Sequence, residues 1–180
     1  MSMPLSAIAV PAIVATVTNM RGWLDKPAVR AAEATLLEAR LAPDMFPLVR
    51  QFQTVSDTSK GGVARLAGIE APSMPDTETS FDELQARLDR TLDFVRSVDA
   101  AAIDAAAIDA GVAREVVMNF PNGGGMRFDG QTYLTGFVLP NLYFHATTAY
   151  AILRANGIEI GKFDFLGHLA PYVFAPPAGA

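Results

Sequence analysis

The chain has 180 residues, 51% hydrophobic and 18% charged, with a formal net charge of −5. This suits one domain with a sizeable core and excludes a disordered chain. No basic run marks a nucleic-acid partner, and the absence of cysteine excludes disulfides, thiolate metal ligands and a cysteine nucleophile.

The first stretch, Leu5 to Val17, is almost wholly apolar. No Lys or Arg precedes it, as a signal peptide would require, and it is shorter than the ~20 residues of a membrane span. The reading is therefore a cytoplasmic protein with no membrane partner. Helical periodicity predicts a first helix over about 5–25, with Val10, Ile13, Val14, Val17 and Leu24 on one face and Pro11 as a kink or late start. After Pro27, the run AVRAAEATLLEAR predicts a short helix or ordered connector.

Pro43-Asp44 opens the second long helix, with Asp44 as the expected cap, Pro47 in the first turn and Gly68 as the stop. Met45, Leu48, Phe52, Val55, Val63 and Leu66 share its inward sector with Ser56 and Ser59. Gln53 and Lys60 flank that sector, and Asp57 sits further round. Residues 69–79 hold Pro72 and Pro75 without periodicity and predict a loop. Ser80 with Glu83 forms a capping box before a third helix that takes Leu84, Leu88, Leu92 and Val95 inward. Its charges, Asp82, Arg87, Asp89 and Arg90 among them, read as a solvated face. The Ala/Asp-rich stretch 100–110 reads as a short helix or connector. Two β-prone runs, 116–120 and 126–128, flank Pro-Asn-Gly-Gly-Gly and predict a hairpin.

The fourth helix spans Gly130 to Gly157. Stepping 100° per residue places Leu134, Phe137, Val138, Asn141, His145, Thr148, Ala149 and Ile152 on one stripe. Asn141 and His145, one turn apart, are the polar members. Buried, each needs a hydrogen-bond partner, since an unsatisfied polar group costs about 1–3 kcal/mol. They predict either a polar pocket in the bundle or a hydrogen bond that fixes helix register. His145 is the candidate for acid–base or ligand-orienting work. Pro140 removes a backbone donor beside Asn141. Tyr143 and Tyr150 lie on the opposite face and predict packing on the first helix or on a second subunit, a homodimer. Four long helices and one hairpin predict an all-α bundle. Residues 1–167 read as a single domain and 168–180, which include the second histidine, His168, as a flexible tail.

The phrases ARLAPDMFPLVRQFQTVSD, DTETSFDELQARL, LPNLYFHATTAYAILRANG and GKFDFLG resemble an uncharacterised bacterial domain-of-unknown-function family, similar to the DinB/YfiT-like four-helix bundle superfamily. The resemblance implies a DinB-like bundle with a small β-hairpin between helices three and four. It also implies a divalent metal, held by one histidine of helix two and a His-x-x-x-His pair of the last long helix, and in some relatives thiol-dependent transferase or isomerase chemistry. Here His145 matches the second member of the pair and Asn141 stands at the first. The helix-two position falls near Gln53, with Asp57 one turn on. One of three expected histidines is present, so the expectation is no cofactor, a divalent metal at His145 being the weaker alternative. The leading expectation is an unidentified small molecule bound by His145, Asn141, Gln53 and Asp57 without a metal triad. The alternatives are a metal-dependent enzyme with a degenerate site and a structural or interaction protein.

Overall fold

The computed structural model describes residues 4–100, 107–120 and 122–174, without the side chains of residues 99 and 100. Helix α1 spans Leu5–Trp23. Pro11 lies inside it, yet the helix runs through, so the missing N–H costs one hydrogen bond and not the element. Ala9, Ile13, Val17 and Met20 are fully buried at a spacing of four, four and three. By length and composition α1 is apolar enough to cross a membrane; in this fold that stripe is packed against the other long helices.

The Ala/Glu-rich run divides into two short helices, α2 (Pro27–Ala31) and α3 (Glu33–Leu36). Helix α4 (Leu48–Ala67) begins later than expected, with Pro47 and not Asp44 at the cap. The residue before a proline is disfavoured in helical backbone, and here, unlike Val10 before Pro11 and Leu139 before Pro140, Phe46 stays outside the helix. Gly68 closes α4 at φ +73°, a left-handed conformation open to glycine without strain. Helix α5 (Phe81–Ala100) starts where the capping box predicts. Ser80 Oγ accepts from the Glu83 N–H at 3.2 Å, but the Glu83 carboxylate reaches back to Thr79 N (2.6 Å), one residue further. Those bonds hold the Glu83 carboxyl below its ordinary pKa.

The stretch 100–110 lies partly outside the described residues; 107–110 are helical. Strands β1 (Val116–Asn119) and β2 (Gly125–Phe128) pair antiparallel with Val116 opposite Phe128. The hairpin is seated by a crossing of three backbones. A Cβ on Gly111 would lie 2.4 Å from the Leu66 carbonyl oxygen, and one on Gly130 would lie 1.8 Å from that of Gly111. Only glycines permit that approach.

The last long helix is one continuous rod of three kinds of winding. An α turn, Gly130–Thr132, capped by Asp129 Oδ1 accepting from Thr132 N at 2.7 Å, leads into a π-helical segment, Tyr133–Val138, and then into α6 (Leu139–Ala155). Pro140 follows the wider winding. Its absent N–H leaves a carbonyl one turn back without an α-type partner, and the i→i+5 bonds absorb the gap. Helix α4 packs on α5, α6 and α1, and α1 also packs on α5 and α6. The result is a four-helix bundle with its hairpin between the third and fourth long helices, as expected.

The C-terminal segment is fastened to α1. Trp23 Nε1 donates to the Asp164 carbonyl (3.1 Å), Lys26 pairs with the Asp164 carboxylate (2.8 Å), and Asn19 donates to the Phe165 carbonyl (2.8 Å). Helix α7 (Lys162–Phe165) is followed by a 3₁₀ helix, Gly167–Tyr172. The 3₁₀ helix falls within the stretch 168–180 expected as a flexible tail, and residues 175–180 lie outside the described set.

Candidate functional site

Two residues apart on an α-helix means about 200° apart around its axis. That separation divides α4 into two polar faces. Gln51, Val55, Thr58 and Gly62 form the stripe towards α6; Gln53, Asp57 and Lys60 look towards α5 and the 69–80 loop.

On the α6 side, His145 is 9% exposed, and its Nδ1 lies 2.6 Å from Gln51 Oε1. Asn141 Nδ2 donates to Thr58 Oγ1 at 2.7 Å. As the α6 residue rises from 141 to 145, its α4 partner falls from 58 to 51, so the helices run antiparallel. They lie close: a Cβ on Gly62 would meet Val138 Cγ1 at 2.8 Å. On the second long helix the residue that meets His145 is Gln51, two positions before Gln53, near which the resemblance puts the family's histidine.

The Gln51 amide fixes the histidine tautomer. Its Nε2 donates to the Phe46 carbonyl at 2.9 Å, which turns Oε1 towards the imidazole and places the imidazole proton on Nδ1. His145 Nε2 is then an acceptor. It has no hydrogen-bond partner among the described residues, and it is not sealed from solvent. Phe46 stacks beside the ring (6.4 Å between centroids) and Phe144 meets it edge-on (5.1 Å). Both phenylalanines are more than half exposed. Arg50 lies 5.4 Å over the Phe46 ring. Burial, and then the Arg50 charge, push the His145 pKa below its ordinary 6.5, so the ring is neutral.

On the other face, Gln53 and Asp57 belong to a different assembly. Arg87 is fully buried and reaches Glu78 (3.0 Å), Asp76 (3.0 Å), Asp57 (2.7 Å) and the Pro75 carbonyl (3.1 Å). Gln53 Nε2 donates to Glu78 at 2.9 Å, Lys60 pairs with Asp57 at 3.0 Å, and Arg50 pairs with Asp76. Three cations meet three carboxylates, and together they strap the loop onto α4 and α5. Arg87 thus corrects the expectation of a solvated face. The signal was present: Arg87 and Thr91 share the helical sector of Leu84, Leu88 and Val95. Ser56 Oγ and Thr91 Oγ1, 2.7 Å apart, continue this polar seam inward.

The four residues expected around one pocket are therefore not brought together. His145 and Asn141 lie in the α4–α6 seam, and Gln53 and Asp57 lie across α4. Sequence reasoning missed Gln51, Thr58, Phe46 and Arg87. The larger grooves lie along α1, including one of about 540 Å³ beside Asn19, Trp23 and Lys26. Tyr150 packs on Trp23 of α1 (6.1 Å) and on Phe165, while Tyr143 stays partly exposed.

The donor set does not fit the metal triad implied by the resemblance. The Asn141 amide is spent on Thr58, the α4 partner of His145 is a neutral amide, and no three His, Cys, Asp or Glu gather as a metal site among the described residues.

A four-helix bundle carrying one neutral imidazole at the seam of its second and fourth long helices defines a DinB-like protein without a histidine triad. The family model for a domain of unknown function, DUF1993, matches residues 5–166, and the chain belongs to that family. It is similar to a DinB family member protein from Shewanella denitrificans, whose crystal structure was solved at 1.83 Å. Identity is 34%, with a TM-score of 0.69, over 96% of this chain and 92% of that one. No curated protein matches.

Proposed function

We propose that the protein binds a small, flat molecule bearing one hydrogen-bond donor at His145, without a metal. The observation that carries the reading is the Gln51–His145 bond. It spends Nδ1 and leaves the Nε2 lone pair without a protein partner, beside two exposed phenyl rings. A donor group would meet Nε2 while an aromatic body packs on Phe46 and Phe144. A neutral base in that position also suits proton abstraction, so catalysis by His145 is the same reading extended by one step. The Ala9, Ile13, Val17 and Met20 stripe of α1 is buried in the bundle, which argues against α1 as a membrane span.

Nitrogen-15 NMR of the histidine rings, with phenol, indole and benzamide as probes, tests this. The expected result is an Nδ1-protonated His145 whose Nε2 resonance moves saturably with at least one probe, while His168 stays still. Asn141→Leu should keep the response and Phe46→Ala should weaken it. An Nε2 resonance that ignores all three probes sinks the proposal.

A second reading, self-association, has its own support. Phe163, Tyr172 and Phe174 are each at least 80% exposed. Together they present roughly 500 Å² per protomer. That area lies beside an α1 face with no charge before Arg21. Two copies would bury about 1,000 Å², near the lower bound of a stable interface. Light scattering on the wild type and on Tyr172→Ser/Phe174→Ser should show a dimer and a monomer; a monomeric wild type overturns it.

A further inference from the structure

At the other end of α4 from Gln51, the partner of His145, a groove of about 320 Å³ lies between the end of α4 and strand β1. Arg65, Gly68, Ile69, Arg114, Glu115, Val116 and Val117 line it. The topology brings two arginines there from residues 49 positions apart. Neither has a carboxylate partner within 4 Å among the described residues, in a chain with an excess of acidic groups. Arg114 makes no side-chain hydrogen bond to a described residue, and Arg65 makes one, from Nη1 to Tyr133 Oη at 3.2 Å. The groove's one carboxylate, Glu115, is occupied by Arg127 of β2.

Both guanidinium groups are seated on glycines. A Cβ on Gly61 would lie 2.6 Å from Arg65 Nη1, and a Cβ on Gly68 would lie 2.4 Å from Arg114 Nη1. Gly61 lies within α4 and Gly68, seven residues on, is the residue that ends it. The missing side chains let the two cations lie against the C-terminal part of α4. Tyr133 belongs to the π-helical segment. Its buried hydroxyl accepts from Arg65 and keeps its own hydrogen. The negative end of α4 steadies the pair. It does not satisfy their remaining N–H donors, which form forks suited to an oxyanion. Ile69 and Val117, both exposed apolar residues, flank the forks.

We propose that this groove binds a small organic oxyanion, a phosphate monoester or a carboxylate, gripped between Arg65 and Arg114 with its apolar part on Ile69 and Val117. The site is independent of His145.

Calorimetric titration of the whole chain with phenyl phosphate, benzoate and inorganic phosphate, in 150 mM salt as about physiological ionic strength, tests it. Saturable binding of phenyl phosphate or benzoate is expected, with inorganic phosphate weaker because it has no apolar part. Arg114→Gln, at an exposed position, and Arg65→Gln should each weaken binding at least tenfold. Arg90→Gln, on the outer face of α5, should leave it unchanged. Whichever of phenyl phosphate and benzoate binds tighter names the headgroup. Binding that survives Arg114→Gln, falls equally with Arg90→Gln, or is absent for all three anions overturns the proposal.

Discussion

Replacing Arg87 with methionine tests whether the buried ion cluster is a strap or an ornament. Arg87 has no exposed side-chain surface, and its partner Glu78 is 6% exposed. The other two carboxylates are better placed to survive: Asp57 keeps Lys60, Asp76 keeps Arg50, and each is at least one-third exposed. The cost therefore falls mainly on Glu78, left with Gln53 as a donor and no cation. Breaking a buried pair from one side costs about 3–5 kcal/mol. Part is regained, since Arg87 Nε is already buried without a partner, a loss of about 1 kcal/mol that methionine removes. The net expectation is a destabilisation of about 2–4 kcal/mol. For a chain of this size that is roughly a 5–15 °C fall in the unfolding midpoint. Urea denaturation should show it as a lower midpoint with the slope unchanged. Adding Glu78→Gln should restore at least about 1 kcal/mol, because an amide needs no counter-charge. A loss under about 1 kcal/mol for Arg87→Met, or a double variant whose losses simply add, would refute the reasoning.

Three further outcomes follow from the geometry. His145 has a folded pKa below its unfolded value of about 6.5, so the unfolded chain binds the extra proton. Stability should fall as pH drops below about 7, until the folded ring itself titrates. His145→Gln should flatten the stability profile between pH 7.5 and 5, and an unchanged profile would contradict a neutral buried ring. Gly130→Ala places a methyl 1.8 Å from the Gly111 carbonyl oxygen and should cost about 2–3 kcal/mol, read by thermal unfolding. Tolerance of that change would mean the three-backbone crossing is looser than described. Asn141→Leu strands the buried Thr58 hydroxyl and should cost about 1 kcal/mol, most of it recovered by adding Thr58→Val; strict additivity of the two would count against the pairing.

Periodicity located the long helices well because an amphipathic stripe is a local property. The stripe on the fourth helix put His145, Asn141 and Thr148 on the right side of it, and the structure buries His145 and Thr148 there. The start of α4 was misread because Asp44 is a good cap in isolation, while Pro47 biases Phe46 away from helical backbone and takes the cap position itself. Arg87 was misread because an arginine among leucines looks solvated until its counter-charges are known. Those come from Asp57, 30 residues before it, and from a loop without periodicity.

Composition and hydrophobic spacing determined, without any coordinates, that this chain folds as an all-α bundle with an imidazole facing its interior. They did so because burial of an apolar stripe needs only the pitch of one helix. Which face of α4 meets that imidazole was decided by the tertiary packing. The azimuth of a neighbouring helix follows from how close Gly62 lets α6 approach and from where the Arg87 strap pins the loop. Both are contacts between residues distant in the chain, and no local pattern encodes them. The same packing turned an expected four-residue pocket into a hydrogen-bonded seam on one side of α4 and an ion cluster on the other.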